Sequence, residues 1–416
     1  MTADTRRTLR AMAFWTLGSL IQLGLTPAQA GARHDRFTQL VTPGESIQAA
    51  IDRAAPSGWI FVQPGVYRET ADSTNGLNIS SPLHLIGLST SKARVVLENA
   101  GGQSNGMVVV PGNRTRCMTC HASLAPPFEL LPGLSSGPRT PGPKIRGVTI
   151  SGITIRNFVN NGLFTENLDG FLIDDVASVG NKNYGIFPTL STNGVVSHNH
   201  VTGSDDAGLW VETSENVSVV DNLVEGNVIG MEVSNSLDIQ VTHNESRNNS
   251  VGIGVFLLPG LFEARPGAKR INLLSNSIHD NNKENTARAG ALAADLPSGT
   301  GVLYVGADES RITGNRIENN NLIGVGVVDV CLAFAGGSHD CTTDPQVTPA
   351  FLADEEASSN SVVHNIVLHN GMGAAASSFS FAASDLGLLS FGAGNCFAKN
   401  AFATTFSIVG ELPPCP

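Results

Sequence analysis

Aromatic side chains are scarce in this chain: Phe, Trp and Tyr supply 6% of its 416 residues. A thick globular core leans on such rings, because each buries a large area. Their scarcity points instead to tight turns and a thin core. Basic residues are scarce too. Lys and Arg number 25 against 36 Asp and Glu, with no basic run, which argues against a nucleic-acid partner. Long apolar runs are missing except at the start, where Ala11 to about Leu25 follows Arg6, Arg7 and Arg10 and precedes Ala28-Gln29-Ala30. That is the three-part pattern of a cleaved export signal, and it is too short for a comfortable membrane span. Thr5-Arg6-Arg7 matches a twin-arginine signal only in part, so ordinary export to a secreted or periplasmic location is the expectation. Losing residues 1–30 removes three Arg and one Asp and leaves 22 basic against 35 acidic residues, a balance of −13. Cysteine is sparse, at six, and in an exported chain six cysteines favour disulfides. Cys331 with Cys341, and Cys396 with Cys415, bracket short segments and make plausible pairs.

What the chain does have is a period. From about Val148 to Asn370 a glycine followed by an apolar residue returns at Gly162, Gly185, Gly208, Gly230, Gly252, Gly301 and Gly324, with gaps of 23, 23, 22, 22, 49 and 23. Asparagine keeps step at Asn199, Asn222, Asn244, Asn276, Asn315 and Asn365. The residue three before each is Val196, Val219, Val241, Leu273, Ile312 and Val362, apolar every time. A fixed short period with β-rich segments is the mark of a solenoid. This one fits a triangular coil of three short strands, each coil burying its apolar side chains against its neighbours.

These marks, Asn at a fixed turn and Gly-(Ile/Leu/Val) about nine residues later, resemble the repeats of right-handed parallel β-helix proteins, the pectin-lyase-like group. The resemblance implies an all-β chain: a single right-handed parallel β-helix solenoid of roughly ten to thirteen coils, with an N-terminal capping helix and several loop insertions. It implies no single chemistry, since this fold hosts lyases, hydrolases, epimerases, binders and adhesins. The run from Asp205-Asp206-Ala207-Gly208-Leu209 to Leu258-Pro259-Gly260 is similar to exported bacterial β-helix-repeat proteins.

The expected organisation is a signal peptide over 1–30 and a β-helix over 31–416. Within the latter, 43–110 reads as the N-terminal cap and first coils, 111–146 as an insertion, 147–393 as the main coils, and 394–416 as a closing segment. Ser46 is placed to cap a helix with Ile47, Ala50, Ile51 and Ala54 on one face. Further interruptions fall at Leu258–Lys269, Lys283–Pro297 and Cys331–Ser358. Insertions in solenoids usually emerge on one face, often the binding face.

Four groups of residues could carry chemistry. Cys117-Met118-Thr119-Cys120-His121 has the spacing of a covalent haem c site, and equally suits a short-loop disulfide, zinc or a redox thiol. Pleat alternation places Phe164, Phe187, Trp210 and Glu232 on successive coils, with Glu166, Thr189, Glu212 and Ser234 two residues on. Aromatic faces beside carboxylates suit sugar rings. The alternative is a stripe covered by the 111–146 loop, with its Phe128, Leu130 and Leu131. Asp205 and Asp206 could form an acid–base pair, bind Ca2+, or serve as a solvated turn. An Asp-Asp pair resembles that of polygalacturonase-type hydrolases of this fold, but the Gly-His-Gly and Arg-x-Lys motifs are missing. His198, His243 and His364 each precede a repeat Asn and read as surface imidazoles, with His200 nearby. Asn181, Asn227, Asn248, Asn249 and Asn319 to Asn321 read as turn and stacking residues rather than ligands.

Two classes of function follow. One is a polysaccharide hydrolase, lyase or epimerase, or a binder of polysaccharide or cell-envelope glycan. Its carboxylates would be Asp205, Asp206, Glu212 and Glu232, and its sugar platform Phe164, Phe187 and Trp210. The other is a non-catalytic envelope scaffold or redox partner, carrying haem through Cys117, Cys120 and His121. No protein partner is legible, and no membrane span is expected once the signal is removed.

Overall fold

The computed structural model describes residues 37–112, 143–262, 264–337, 340–373 and 379–416. The expected signal peptide and the Cys117–His121 motif lie outside them. Among the described residues the strands form three sheets of 13, 10 and 11 strands, paired in parallel throughout. One coil shows the plan. Ala207–Glu212 lies in the third sheet, Glu215–Val220 in the first, Leu223–Glu225 in the second, and Ile229–Ser234 returns to the third on the next coil. Apolar residues at alternate positions of the first two sheets point inward: Val217, Val219 and Val224 are buried. This is the thin core that a sequence poor in aromatics requires.

The repeat asparagines occupy the corner between the first and second sheets. Asn199 Nδ2 donates to Asn222 Oδ1 at 2.9 Å, and the ladder continues through Asn244, Asn276, Asn315, Asn365 and Asn400. Each Oδ1 also accepts from the backbone N–H of the preceding asparagine, as Asn222 does from Asn199. Buried turn amides are satisfied in this way without water. The residue before each asparagine adopts positive φ, 54° at His198, 57° at Asp221 and 56° at His243. Asn227, Asn249, Asn281, Asn320 and Asn370 form a second ladder at the corner leading to the third sheet, and Asp385 ends it.

That second ladder explains the repeat glycines. A Cβ on Gly208 would lie 2.7 Å from Asn227 Nδ2, and one on Gly230 would lie 2.7 Å from Asn249 Nδ2 and 2.6 Å from the Gly252 carbonyl oxygen. Nothing larger than hydrogen fits between the turn and the neighbouring coil.

At the N-terminal end the helix Ile47–Arg53 is capped by Ser46, whose hydroxyl accepts from the Ala49 N–H at 3.1 Å. Ile47, Ala50 and Ile51 are buried from it. Glu69 accepts from the Ile47 backbone N–H and the Ser46 hydroxyl, placing negative charge at the helix N-terminus. At the other end Cys396–Cys415 ties down the closing segment, and Cys331–Cys341 closes an insertion, both as expected from their spacing. No described helix is long and apolar enough to cross a membrane.

The described insertions leave from the two corners that flank the third sheet. Residues 257–267 and 329–360 lead from it to the first sheet, and 280–299 leads to it from the second. They contain the short helices Pro259–Phe262, Leu292–Asp295, Val330–Ala333 and Pro349–Leu352. Strands of the third sheet from Leu163–Glu166 to Ser384–Leu389 are buried at every position, on the outward as well as the inward face.

Candidate functional site

The outward face of the third sheet carries the polar residues that a solenoid core does not need. Parallel register sets them in two columns. Phe164 pairs with Phe187, and Trp210 with Glu232. Two residues on, Glu166 pairs with Thr189, Thr189 with Glu212, and Glu212 with Ser234. The rings stack along the first column: Phe187 and Trp210 lie 4.3 Å apart at 7°, with Phe164 edge-on to Phe187 at 5.2 Å. Tyr184 tilts against Phe187 at 4.9 Å and Trp210 at 4.7 Å.

Of the two expected arrangements, an open stripe or a covered one, the rings take the covered one, while residues 113–142 of the loop expected to cover them lie outside the described residues. Relative exposure is 0% at Phe164, 3% at Phe187 and 6% at Trp210. The Tyr184 ring from the neighbouring turn packs on Phe187 and Trp210, a contact that strand alternation alone does not foresee.

Glu232 is 3% exposed and follows Trp210 in the column. Its Oε1 accepts from the Ser234 hydroxyl at 2.6 Å, and the Trp210 indole N–H donates to that hydroxyl oxygen at 3.1 Å. Burial is the main cause that pushes the Glu232 carboxyl well above the usual range, and the charges of Asp206 and Glu212 add to it. Thr189 donates its hydroxyl to Glu212, which is also buried.

Asp206 reaches this group from the corner before the strand. Burial pushes its carboxyl up to about 7, against hydrogen bonds from Tyr184 and the Ala207 backbone that favour the anion. The placement comes from one extra residue. Asn227-Val228-Ile229-Gly230 closes its corner in four residues, and Ser204-Asp205-Asp206-Ala207-Gly208 takes five. The Val228 N–H bonds to the Ser204 carbonyl and the Ile229 N–H to the Asp206 carbonyl, so Asp205 is the residue skipped. The same five-residue corner, Asn181 to Gly185, carries Tyr184. Sequence reasoning missed Tyr184, although the 23-residue spacings ending at Gly185 and Gly208, against 22 at Gly230 and Gly252, hold the signal.

Asp205 and Asp206 therefore do not form the pair that their adjacency suggested. Asp205 turns away to Lys182, at 3.5 Å, and to the Thr286 hydroxyl, at 3.4 Å. The carboxylates that influence one another are Asp206, Glu232 and Glu212. Among the described residues no three His, Cys, Asp or Glu side chains are grouped to hold a metal ion. His198 Nδ1 lies 2.7 Å from Asp174 and His200 Nε2 lies 2.9 Å from Glu225, both on the outer surface of other sheets. Neither belongs to the carboxylate group.

The family model described as the right handed β-helix region matches residues 144–283. The chain is a right-handed parallel β-helix. It is similar to the A-module of a mannuronan C-5 epimerase from Azotobacter vinelandii, at 14% identity and TM-score 0.57, over 89% of this chain and 94% of that one. A second such A-module from the same organism gives 14% identity and TM-score 0.54, over 88% of this chain and 95% of that one. The DFA-IIIase of Arthrobacter chlorophenolicus A6, solved without its lid, gives 14% identity and TM-score 0.51 over 90% of each chain. No curated protein matches in sequence. Likeness at this identity establishes the β-helix fold, and the chemistry rests on the side chains.

Proposed function

We propose that this β-helix is an exported enzyme acting on a polysaccharide, with Glu232 as proton donor and Asp206 as proton acceptor. The observation that carries this reading is the convergence of Asp206, Glu212 and Glu232 with Tyr184 beside the Phe164–Phe187–Trp210 stack. Burial raises both carboxyls, the direction that suits groups exchanging protons near neutral pH. Burial and the charges of Asp206 and Glu212 raise the Glu232 carboxyl well above the usual range, which suits a proton donor. Asp206, at about 7, exchanges its proton at neutral pH, as an efficient general base should. Glu212, at the far end of the strand Ala207–Glu212 from Asp206, serves as a hydrogen-bond acceptor for sugar hydroxyls. Phe164, Phe187 and Trp210 form the apolar wall beside the carboxylates, the kind of surface against which a sugar ring's C–H face packs. Named neighbours with the same fold include epimerases of mannuronan, which supports a carbohydrate substrate. Two disulfides suit an oxidising, extracytoplasmic compartment.

The test is a panel of plant, algal and bacterial polysaccharides incubated with the mature protein. New reducing ends would indicate hydrolysis, an unsaturated product elimination, and an altered sugar-ring proton spectrum without chain cleavage epimerisation. Turnover of one polysaccharide class supports the reading. No product and no binding across the panel would overturn it.

A further inference from the structure

Beyond the carboxylate group, the outward face of the third sheet changes character. The column that carries Trp210 and Glu232 continues through Gly254 to Leu303, two rungs on from Glu232 or about 10 Å at the usual strand spacing. There the face opens into a pocket of about 40 Å³ lined by Leu296, Leu303, Ile323, Val328, Ala382 and Leu389. Its rim includes the half-buried Pro297, Ala333 and Phe379. Leu303, Ile323, Val328 and Leu389 are the outward-face floor, and Leu296 and Ala382 come from segments lying over it. The Thr300 hydroxyl is engaged by the Pro297 carbonyl at 2.9 Å, so the lining offers a ligand almost no polar partner. Sugar hydroxyls would lose their hydration here without replacement, which excludes a bare sugar ring.

The pocket and the carboxylates are tied together by one segment. The insertion that supplies Leu296 and Pro297 passes the corner that carries Asp205 and Asp206, where Thr286 bonds to Asp205 at 3.4 Å and the Lys283 ammonium bonds to Thr286 at 3.1 Å. A ligand lying along the column from Glu232 would reach the pocket two rungs on, at Leu303. Size narrows the occupant further. An apolar cavity of about 150 Å³ holds a benzene ring. A pocket about a quarter as large takes a two- or three-carbon group and excludes a lipid chain.

We propose that this pocket receives an acetyl group borne by the glycan, so that the substrate is an acetylated polysaccharide read about two rungs from the reacting sugar. This deepens the preceding proposal and rests on its placing of the glycan on this face. An O-acetyl ester and an N-acetyl amide present the same methyl group, and the experiment separates them.

The experiment is saturation-transfer NMR on the mature protein with four probes: acetylated xylan, the same xylan after alkaline deacetylation, chitotetraose and chitosan tetramer. The expected result is strong transfer to the acetyl methyl protons of one acetylated probe, with at least tenfold weaker binding of its deacetylated partner. Which pair shows the effect assigns ester or amide. Ala382→Val and, independently, Ala333→Val should each abolish the preference for the acetylated probe while leaving binding of the deacetylated partner unchanged. Two pocket-filling variants guard against one that folds poorly, and a thermal melt accompanies each. Equal binding of acetylated and deacetylated partners overturns the pocket assignment while leaving the glycan site standing. So does a preference that survives both pocket-filling variants. Absence of binding to all four probes, in a protein that turns over another unacetylated polysaccharide, also overturns it. Absence of any glycan binding overturns both proposals.

Discussion

Asp206 is a residue whose surroundings carry its titration into the neutral range. Burial holds its carboxyl at about 7 in the folded chain, and in the unfolded chain it returns to about 4. The folded state therefore binds the proton more tightly. Asp206 favours folding most below about 4, and that contribution is lost as pH rises through about 7. The melting temperature should fall between pH 5 and pH 8, and Asp206→Asn should flatten that fall. Calorimetry across the pH range checks this, and a wild-type slope retained in the variant would contradict it. Residue-scale reading of the sequence found Asp206, Glu212 and Glu232 as carboxylates worth naming. It paired Asp206 with Asp205 because they are adjacent. Skipping of Asp205 in the corner hydrogen bonds goes with different partners for the two side chains, Lys182 and Thr286 for Asp205 and Tyr184 for Asp206, and a list of neighbours along the chain does not contain that information.

At the scale of the element, the corner asparagines show how much of a coil is held by side chains. Asn222 Nδ2 donates to the Val196 carbonyl at 3.0 Å and to Asn244, and its Oδ1 accepts from Asn199. Asn222→Ala leaves several buried groups unsatisfied at about 1–3 kcal/mol each. Chemical denaturation should show a loss of about 3 kcal/mol or more, with hydrogen-exchange protection lost first in the adjoining turns at Asn199 and Asn244. The corner of five residues invites a different change. Deleting Asp205 shortens it to the four residues found from Asn227 to Gly230. The shortened protein should keep its fold and circular dichroism, and should lose activity because Asp206 no longer projects over the outward face. A deletion variant with full turnover would remove Asp206 from the chemistry. Coil period, ladder and glycines were legible in the sequence because stacking repeats the same contact many times. Burial of Phe164, Phe187 and Trp210 was legible only as one of two alternatives, since strand alternation tells which face the rings are on and not what lies over it.

At the scale of the whole molecule, stability is close to a sum of coils and the contacts between neighbours, so the ends matter. The N-terminal end is closed by the helix Ile47–Arg53 and the C-terminal end by the segment that Cys396–Cys415 pins down. That bridge closes a loop of 19 residues in sequence separation, a length for which chain entropy alone gives about 3 kcal/mol. Reducing it, or substituting Cys415→Ser, should expose amides of the last coils to exchange before those of the central coils. Uniform loss of protection along the chain would contradict a stack that opens from its end.

The architecture leaves one sheet face covered, aromatic and acidic, and the account assigns the chemistry to it. The most direct test compares turnover of the best polysaccharide by the wild type, Glu232→Gln, Asp206→Asn and Asp205→Asn, with the fold of each verified by circular dichroism. Glu232→Gln and Asp206→Asn should each lose about 10²–10⁴-fold in rate, the usual worth of one general acid or base. Asp205→Asn should stay close to wild type, because Asp205 faces Lys182 and Thr286 rather than the carboxylate group. Undiminished turnover in Glu232→Gln and Asp206→Asn would contradict the central claim.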